Sequence, residues 1–253
     1  MRAILGIGMT LVLVGNAQAG GYEMADLQAL DKSGSYDELV QHLSDIAPSK
    51  RDKKWSELAE RATSAQLAAL KVTDQDPDGP LHTAENLLKS YPQLKQSKVF
   101  MSKRAETGLQ SFKFNYSRYR HSSGDDEWID KMMAFVKADD QTPDLPLRAA
   151  KLVISRLVPM CAYPFFKMVY DKGGPATCKD GDFQKTIVSA FEYGVWKAEI
   201  TEIAQNKCWN EMKGPLVGEL SKNKSEIYRR NICPVLKAKN GLPAAQKAEC
   251  EEP

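Results

Sequence analysis

Residues 35–48 read Ser-Tyr-Asp-Glu-Leu-Val-Gln-His-Leu-Ser-Asp-Ile-Ala-Pro. Ser35 and Glu38 have the spacing of a capping box, in which a hydroxyl and a carboxylate exchange bonds with the first free N–H groups of a helix. Leu39, Val40, Leu43 and Ile46 then recur at the spacing of one helical face, and Pro48 closes the segment.

The same grammar runs outward along the chain. Trp55, Leu58, Ala59 and Ala62, then Leu67 and Leu70, mark a second, longer helix. Residues 83–90 form a short one with Thr83 as its cap, ended by Tyr91-Pro92 because the residue before a proline avoids the α region. Residues 92–120 are largely helical. Phe112-Lys-Phe-Asn-Tyr116 alternates like a strand, but Phe112, Tyr116 and Tyr119 also sit at i, i+4 and i+7 among helical neighbours, so helix is the better reading. Residues 121–125 are a polar loop, and Asp125 or Asp126 caps a helix carrying Trp128, Ile129, Met132, Met133 and Val136. Leu147–Val158 is the next apolar segment. Asp182 caps a long helix through Ile187, Phe191, Trp196 and Ile203 to about Cys208. Pro215, Asn223 and Pro234 divide the remainder of the chain into short helices.

The fold class is therefore all-α, an irregular array of antiparallel helices. Breaks fall at residues 74–80 (DQDPDGP) and 139–146 (DDQTPDLP), the second being the better boundary. It separates an N-terminal helical region, 20–140, from a C-terminal cysteine-containing helical region, 147–253. No repeat of 20 to 50 residues stands out.

Composition narrows the class further. The chain has 253 residues with 35 Lys+Arg against 33 Asp+Glu, a net charge of +2, 42% hydrophobic and 27% charged residues. These values exclude wholesale disorder, collagen and a coiled-coil filament, and give no global pull toward nucleic acid or an anionic membrane.

Residues 1–19 have the form of a secretory signal. Arg2 is the basic end, Ile4–Val14 the apolar stretch and Ala17-Gln18-Ala19 a small-x-small cleavage site, so that Gly20 begins the mature chain. The apolar run is short for a hydrocarbon core of about 30 Å. No membrane span is expected after cleavage. The brevity of the signal points to a bacterial periplasm or the cell exterior.

Cysteine usage agrees with an oxidising compartment. Cys161, Cys178, Cys208, Cys233 and Cys250 all lie in the C-terminal 93 residues, without a C-x-x-C, and the three histidines, His42, His82 and His121, precede them all. Disulfides are expected there. Cys161 and Cys178 flank Asp171-Lys-Gly-Gly-Pro175 and are paired first, Cys208 with Cys233 second, and Cys250 is left over. The rival pairs Cys233 with Cys250 and leaves Cys208 free.

Two stretches offer a binding chemistry. Asp74-Gln-Asp76-Pro-Asp78-Gly79-Pro-Leu81-His-Thr-Ala-Glu85 resembles, over twelve residues, the calcium loop of an EF-hand. The resemblance implies Asp74, Asp76, Asp78 and Glu85 as ligands and calcium as the ion. Three features weigh against it: Pro80 in the loop, Leu87 and Leu88 out of phase with the exiting helix, and the lack of a second loop. The commoner role of such a stretch is an acidic Pro/Gly linker that caps the next helix. The second stretch, residues 95–120, carries seven Lys and Arg against Glu106, interleaved with five aromatics. Lys103, Arg104, Arg118 and Arg120 are its candidate binding face. A signal peptide argues against nucleic acid, leaving a protein or an anionic envelope polymer as partner. The plainer alternative is an amphipathic helix with its cations in solvent.

No G-x-S-x-G, H-E-x-x-H or Gly-rich phosphate loop occurs, and no catalytic residue is assigned. Ser221-x-x-Lys224 lacks the companions of an S-x-x-K enzyme and reads as a solvated helix end. His42 reads as a packed or surface residue, and the acid pairs Asp139-Asp140 and Asp180-Gly-Asp182 as caps. The expected function is that of an exported, non-enzymatic helical binding or scaffold protein. The alternatives are a hydrolase acting on envelope material and a calcium-stabilised surface protein.

Overall fold

The helical periodicity is realised almost throughout. In a computed structural model that describes residues 21–122, 124–156, 159–193, 201–222 and 225–251, the described residues are 82% helical and include no strand. The expected export signal, residues 1–19, lies outside the described residues. The helices are α1 (Met24–Ser33), α2 (Tyr36–His42), α3 (Lys53–Ala69), α4 (Gly79–Ser90), α5 (Lys98–Ser122), α6 (Gly124–Lys137), α7 (Leu145–Ser155), α8 (Tyr163–Gly173), α9 (Gly181–Glu192), α10 (Trp209–Lys222) and α11 (Glu226–Ala238). Short 3₁₀ turns join several of them. None of the described helices is long and apolar enough to cross a membrane.

Contacts divide the chain into two compact units, Met1–Ala62 and Thr63–Pro253. In the first, Leu27, Leu39, Leu43, Trp55 and Leu58 are buried, and the Trp55 indole N–H donates to the Leu43 carbonyl at 3.2 Å. The capping box forms one helix earlier than expected: Glu23 and Asp26 exchange the reciprocal bonds at the start of α1. Ser35 makes no cap bond, because its hydroxyl pairs with that of Ser33. Gly34 closes α1 at φ +73°, a left-handed conformation that glycine adopts without strain.

The second unit is built on one continuous core from α5 to the C-terminal turn. Phe112, Trp128, Met132, Val153, Phe165, Phe183, Phe191, Met212 and Tyr228 belong to it. It runs through helices on both sides of residues 139–146. The expected helix at Phe112–Tyr116 is part of α5, and Trp128 of α6 donates its indole N–H to the Phe112 carbonyl at 2.9 Å. His121 and Ser122, expected in a loop, continue α5.

Three proline and cap expectations are corrected. α4 starts at Gly79, ahead of the expected Thr83, because Pro80 sits in its first turn, where the missing N–H costs nothing and the fixed φ suits a helix. Pro215 and Pro234 lie inside α10 and α11 rather than between helices. Met212, Leu216 and Leu220 in one, and Tyr228, Ile232 and Leu236 in the other, bury a stripe that passes across the proline. Packing of that stripe outweighs the roughly 3 kcal/mol that an interior proline costs. Asp180, rather than Asp182, caps α9, accepting the Asp182 and Phe183 N–H groups at 2.9 and 2.8 Å.

Disulfides staple the C-terminal region, as expected, but with a different pairing. Cys178 is joined to Cys208 and Cys233 to Cys250, with Cα–Cα distances of 5.2 and 5.5 Å. Cys161 belongs to neither bridge and is half-buried beside the core. The pairings Cys161–Cys178 and Cys208–Cys233 are thus corrected, and the Cys233–Cys250 half of the rival is the one observed. Cys161 precedes α8 and Cys178 follows it, so a helix about 16 Å long separates the two where a hairpin turn was expected. Cys250 is not a frayed end. Asn240, at φ 48°, turns the chain after α11, and the terminal 3₁₀ segment Ala244–Cys250 returns so that Lys237 Nζ donates to the Cys250 carbonyl at 2.9 Å.

Candidate functional site

A cleft of about 520 Å³ opens beside the first half of α5. α4 supplies Glu85, Leu88 and Lys89, the following 3₁₀ turn Lys95, α5 Met101 and Arg104, the end of α6 Lys137, and the turn after it Ala138 and Asp140. Lys89 and Lys137 fall in the last turns of their helices, where a cation is favoured by the carbonyl ends.

Arg104 is the organising residue. Its side chain is only 5% exposed, and its guanidinium lies 4.4 Å from the centre of the Phe135 ring. Nε donates to a Glu85 oxygen at 2.9 Å, and Nη2 forms an ion pair with the same oxygen at 2.8 Å. Nη1 donates to Asp139 at 3.4 Å.

The two carboxylates differ in how they are held. Asp139 has no side-chain exposure, and it also accepts the Gln141 and Thr142 N–H groups at 3.0 and 2.9 Å and the Thr142 hydroxyl at 3.2 Å. The capping role expected of the Asp139-Asp140 pair is real for Asp139, with the buried arginine added to it. Glu85 is 46% exposed and, among the described residues, holds only Arg104.

Around this pair, Lys89, Lys95 and Lys137 are exposed, and among the described residues none of them is paired with a carboxylate. Leu88, Met101 and Ala138 form the apolar side of the cleft.

The calcium-loop stretch takes another form. Asp76 accepts the N–H of Gly79, the first residue of α4, at 2.9 Å, while Asp78 accepts from Ser111 and Asn115 of α5 at 2.9 and 2.5 Å. The Asp74 carbonyl accepts from Arg118 at 3.3 Å, and Glu85 is turned to Arg104. The four carboxylates are not brought together, because Pro80 commits residues 79–90 to a helix where an ion-binding loop would wrap. Among the described residues no group of three or more His, Cys, Asp or Glu side chains converges as a metal site requires.

The basic stretch does not form one open face either. Lys103 pairs with Glu106 at 3.2 Å, Arg104 is buried, and Arg118 lies about 21 Å further along α5. The Arg120 side chain lies outside the described residues. Of the four candidate cations, Arg104 alone lines the cleft, and its partners there are lysines from other helices. Sequence reasoning passed over Lys89 and Lys137, since each is a lone surface lysine in its own segment, and counted Lys95 in the basic stretch without placing it on the candidate face. The one available signal was their placement at helix ends.

A second polar cluster lies in the first unit. The Tyr22 ring stacks on His42 with centroids 3.8 Å apart, its hydroxyl donates to Glu38 at 2.8 Å, and its N–H donates to Asp45 at 3.0 Å. His42 Nδ1 is 2.9 Å from the same Asp45 oxygen. The Glu38 hydrogen bond raises the Tyr22 pKa, and the Tyr22 N–H together with His42 lowers that of Asp45. This cluster ties down the first described residues of the chain.

No family model matches the chain, and neither a curated protein nor a solved structure matches it.

Proposed function

We propose that the protein is an exported, non-enzymatic binding protein of the bacterial periplasm or cell exterior, and that its partner is an anionic molecule taken at the cleft beside Arg104. The single observation that carries this reading is the set of three exposed lysines, Lys89, Lys95 and Lys137, none paired with a carboxylate among the described residues, converging from three segments on a cleft with an arginine in its wall. Lys89, Lys95, Lys137 and Arg104 outnumber the two carboxylates that line the same cleft, Glu85 and Asp140, so the lining carries a net positive charge that a bound anion offsets. A cleft of about 520 Å³ lies within the size range of small-molecule sites, about 300–1,000 Å³. Export is supported by the signal-like pattern of residues 1–19 and by the two disulfides, which fit an oxidising compartment.

The test is calorimetric titration with hexaglutamate. Binding should be saturable and should weaken steeply between about 0.01 M and 0.15 M salt, as the screening length falls from roughly 30 to 8 Å. It should be lost in the triple variant Lys89→Gln, Lys95→Gln, Lys137→Gln. Equal binding by the triple variant would remove the cleft from the account.

A further inference from the structure

We infer that the side chain of Glu85 is an exchangeable stand-in for the ligand, and that the ligand class is a carboxylate with a short apolar body. This rests on the cleft being the anion site proposed above.

Exchangeability follows from the unequal ties on the two acids that share Arg104. Asp139 is wholly buried and holds three other donors besides the guanidinium, so it cannot leave without stranding two backbone N–H groups and a hydroxyl. Glu85 holds Arg104 alone, through one oxygen, and is already 46% exposed. It can swing into water with its charge solvated, and Asp139 then remains as the counter-ion of Arg104.

Once Glu85 has left, the Nε–Nη2 edge of Arg104 presents two parallel donors to the cleft. That edge suits a carboxylate, which can take both donors at once, one on each oxygen, where Glu85 uses one oxygen for both. Asp139 keeps the Nη1 side fixed, and Phe135 supports the plane from one face, so the fork is held in place before a ligand arrives.

The rest of the ligand is read from the remaining wall. Leu88, Met101 and Ala138 give it an apolar side, while Lys89, Lys95 and Lys137, which outnumber the one other carboxylate of the wall, Asp140, attract the charge without fixing its geometry. A bare polyanion leaves the apolar side unused, and a neutral amphiphile leaves the fork and the lysines unused.

The experiment titrates the whole protein with octanoate, acetate and octanol, and repeats the octanoate titration on Glu85→Gln and Ala138→Asp. Octanoate should bind, while acetate and octanol at the same concentration should not. Glu85→Gln removes the competing charge and should bind octanoate severalfold tighter, because no charged partner has to leave Arg104 first. Ala138→Asp, at an exposed position, places a carboxylate on the apolar side and should weaken octanoate severalfold. If Glu85→Gln fails to fold by circular dichroism, the parent protein supplies the reading: its Arg104 Nε–H resonance should shift as octanoate saturates, and an unmoved resonance overturns the exchange.

Octanoate binding that is unchanged or weaker in a folded Glu85→Gln protein overturns the exchange and leaves the anion site standing. Hexaglutamate binding without octanoate binding overturns the ligand class and again leaves the site standing. Binding of neither overturns both.

Discussion

Replacing Asp139 by alanine tests the construction of the cleft at its least replaceable point. The side chain has no exposure and four partners: two backbone N–H groups, the Thr142 hydroxyl and Arg104 Nη1. Removing one partner of a buried ion pair costs about 3–5 kcal/mol, because the other charge is left uncompensated. Here Arg104 keeps Glu85, so the lower end applies, and Asp139→Ala should cost about 3 kcal/mol. Asp139→Asn keeps an oxygen that can accept both N–H groups and loses the charge, so about half of that is expected. Urea unfolding followed by far-ultraviolet circular dichroism, with the disulfides intact, gives the comparison. For a slope of about 3 kcal/mol per M, the midpoint should fall by roughly 1 M for alanine and 0.5 M for asparagine. An alanine variant within about 0.2 M of the parent would refute the reasoning. So would an asparagine variant as unstable as the alanine one, since the charge on Arg104 would then account for the whole effect.

Three further outcomes are expected from the same structure. A Cβ on Gly108 would meet Phe135 Cζ at 2.2 Å, so Gly108→Ala should destabilise by roughly 1–2 kcal/mol, as overpacking exceeds a helix-propensity gain of about 1 kcal/mol; a stabilised variant in thermal melts would contradict it. Asp45 titrates lower in the folded protein than in the unfolded chain, so its contribution is complete above about pH 4 and is lost as the pH falls through the folded value. Asp45→Asn should therefore flatten the acid limb of the stability curve of residues 21–62, and an unaltered limb would refute the link. Peptide mapping without reduction should find Cys178 with Cys208 and Cys233 with Cys250; on the chain-entropy model the loops of 30 and 17 residues are worth about 3.6 and 3.1 kcal/mol, so reduction should loosen α8–α11 first.

The helices were legible in the sequence because their signals are local. Leu39 and Leu43, Trp128 and Met132, and Ile187 and Phe191 recur at intervals that a single segment displays by itself, and all six are buried. The misread features depended on competition between local rules and packing. Ser35 and Glu38 satisfied the capping-box spacing, yet the hydroxyl found Ser33 and the box formed at Glu23. Pro215 and Pro234 read as breaks, because a proline announces its cost to the backbone and not the buried stripe that outweighs it. The disulfide partners were hidden for another reason. Proximity in sequence suggested Cys161–Cys178, and the length of α8 between them decides otherwise.

The cleft was the least legible part. Arg104 stood out as one cation in a basic run, and its burial against Phe135 and Asp139 depends on how α5 and α6 pack. Lys89, Lys95 and Lys137 come from three segments whose convergence no spacing encodes. The calcium-like spacing of Asp74 to Glu85 shows the converse: a motif present in sequence whose ligands are drawn apart, Glu85 to Arg104 and Asp78 to Asn115.

The central claim, that anions are taken beside Arg104, is tested most directly by amide chemical-shift mapping of the isotope-labelled protein during a hexaglutamate titration. The account predicts saturable shifts concentrated at Glu85, Leu88, Lys89, Lys95, Met101, Arg104 and Lys137, together with a shift of the Arg104 Nε–H resonance as Glu85 is displaced. Shifts concentrated elsewhere, with the Arg104 Nε–H resonance unmoved at saturation, would contradict it.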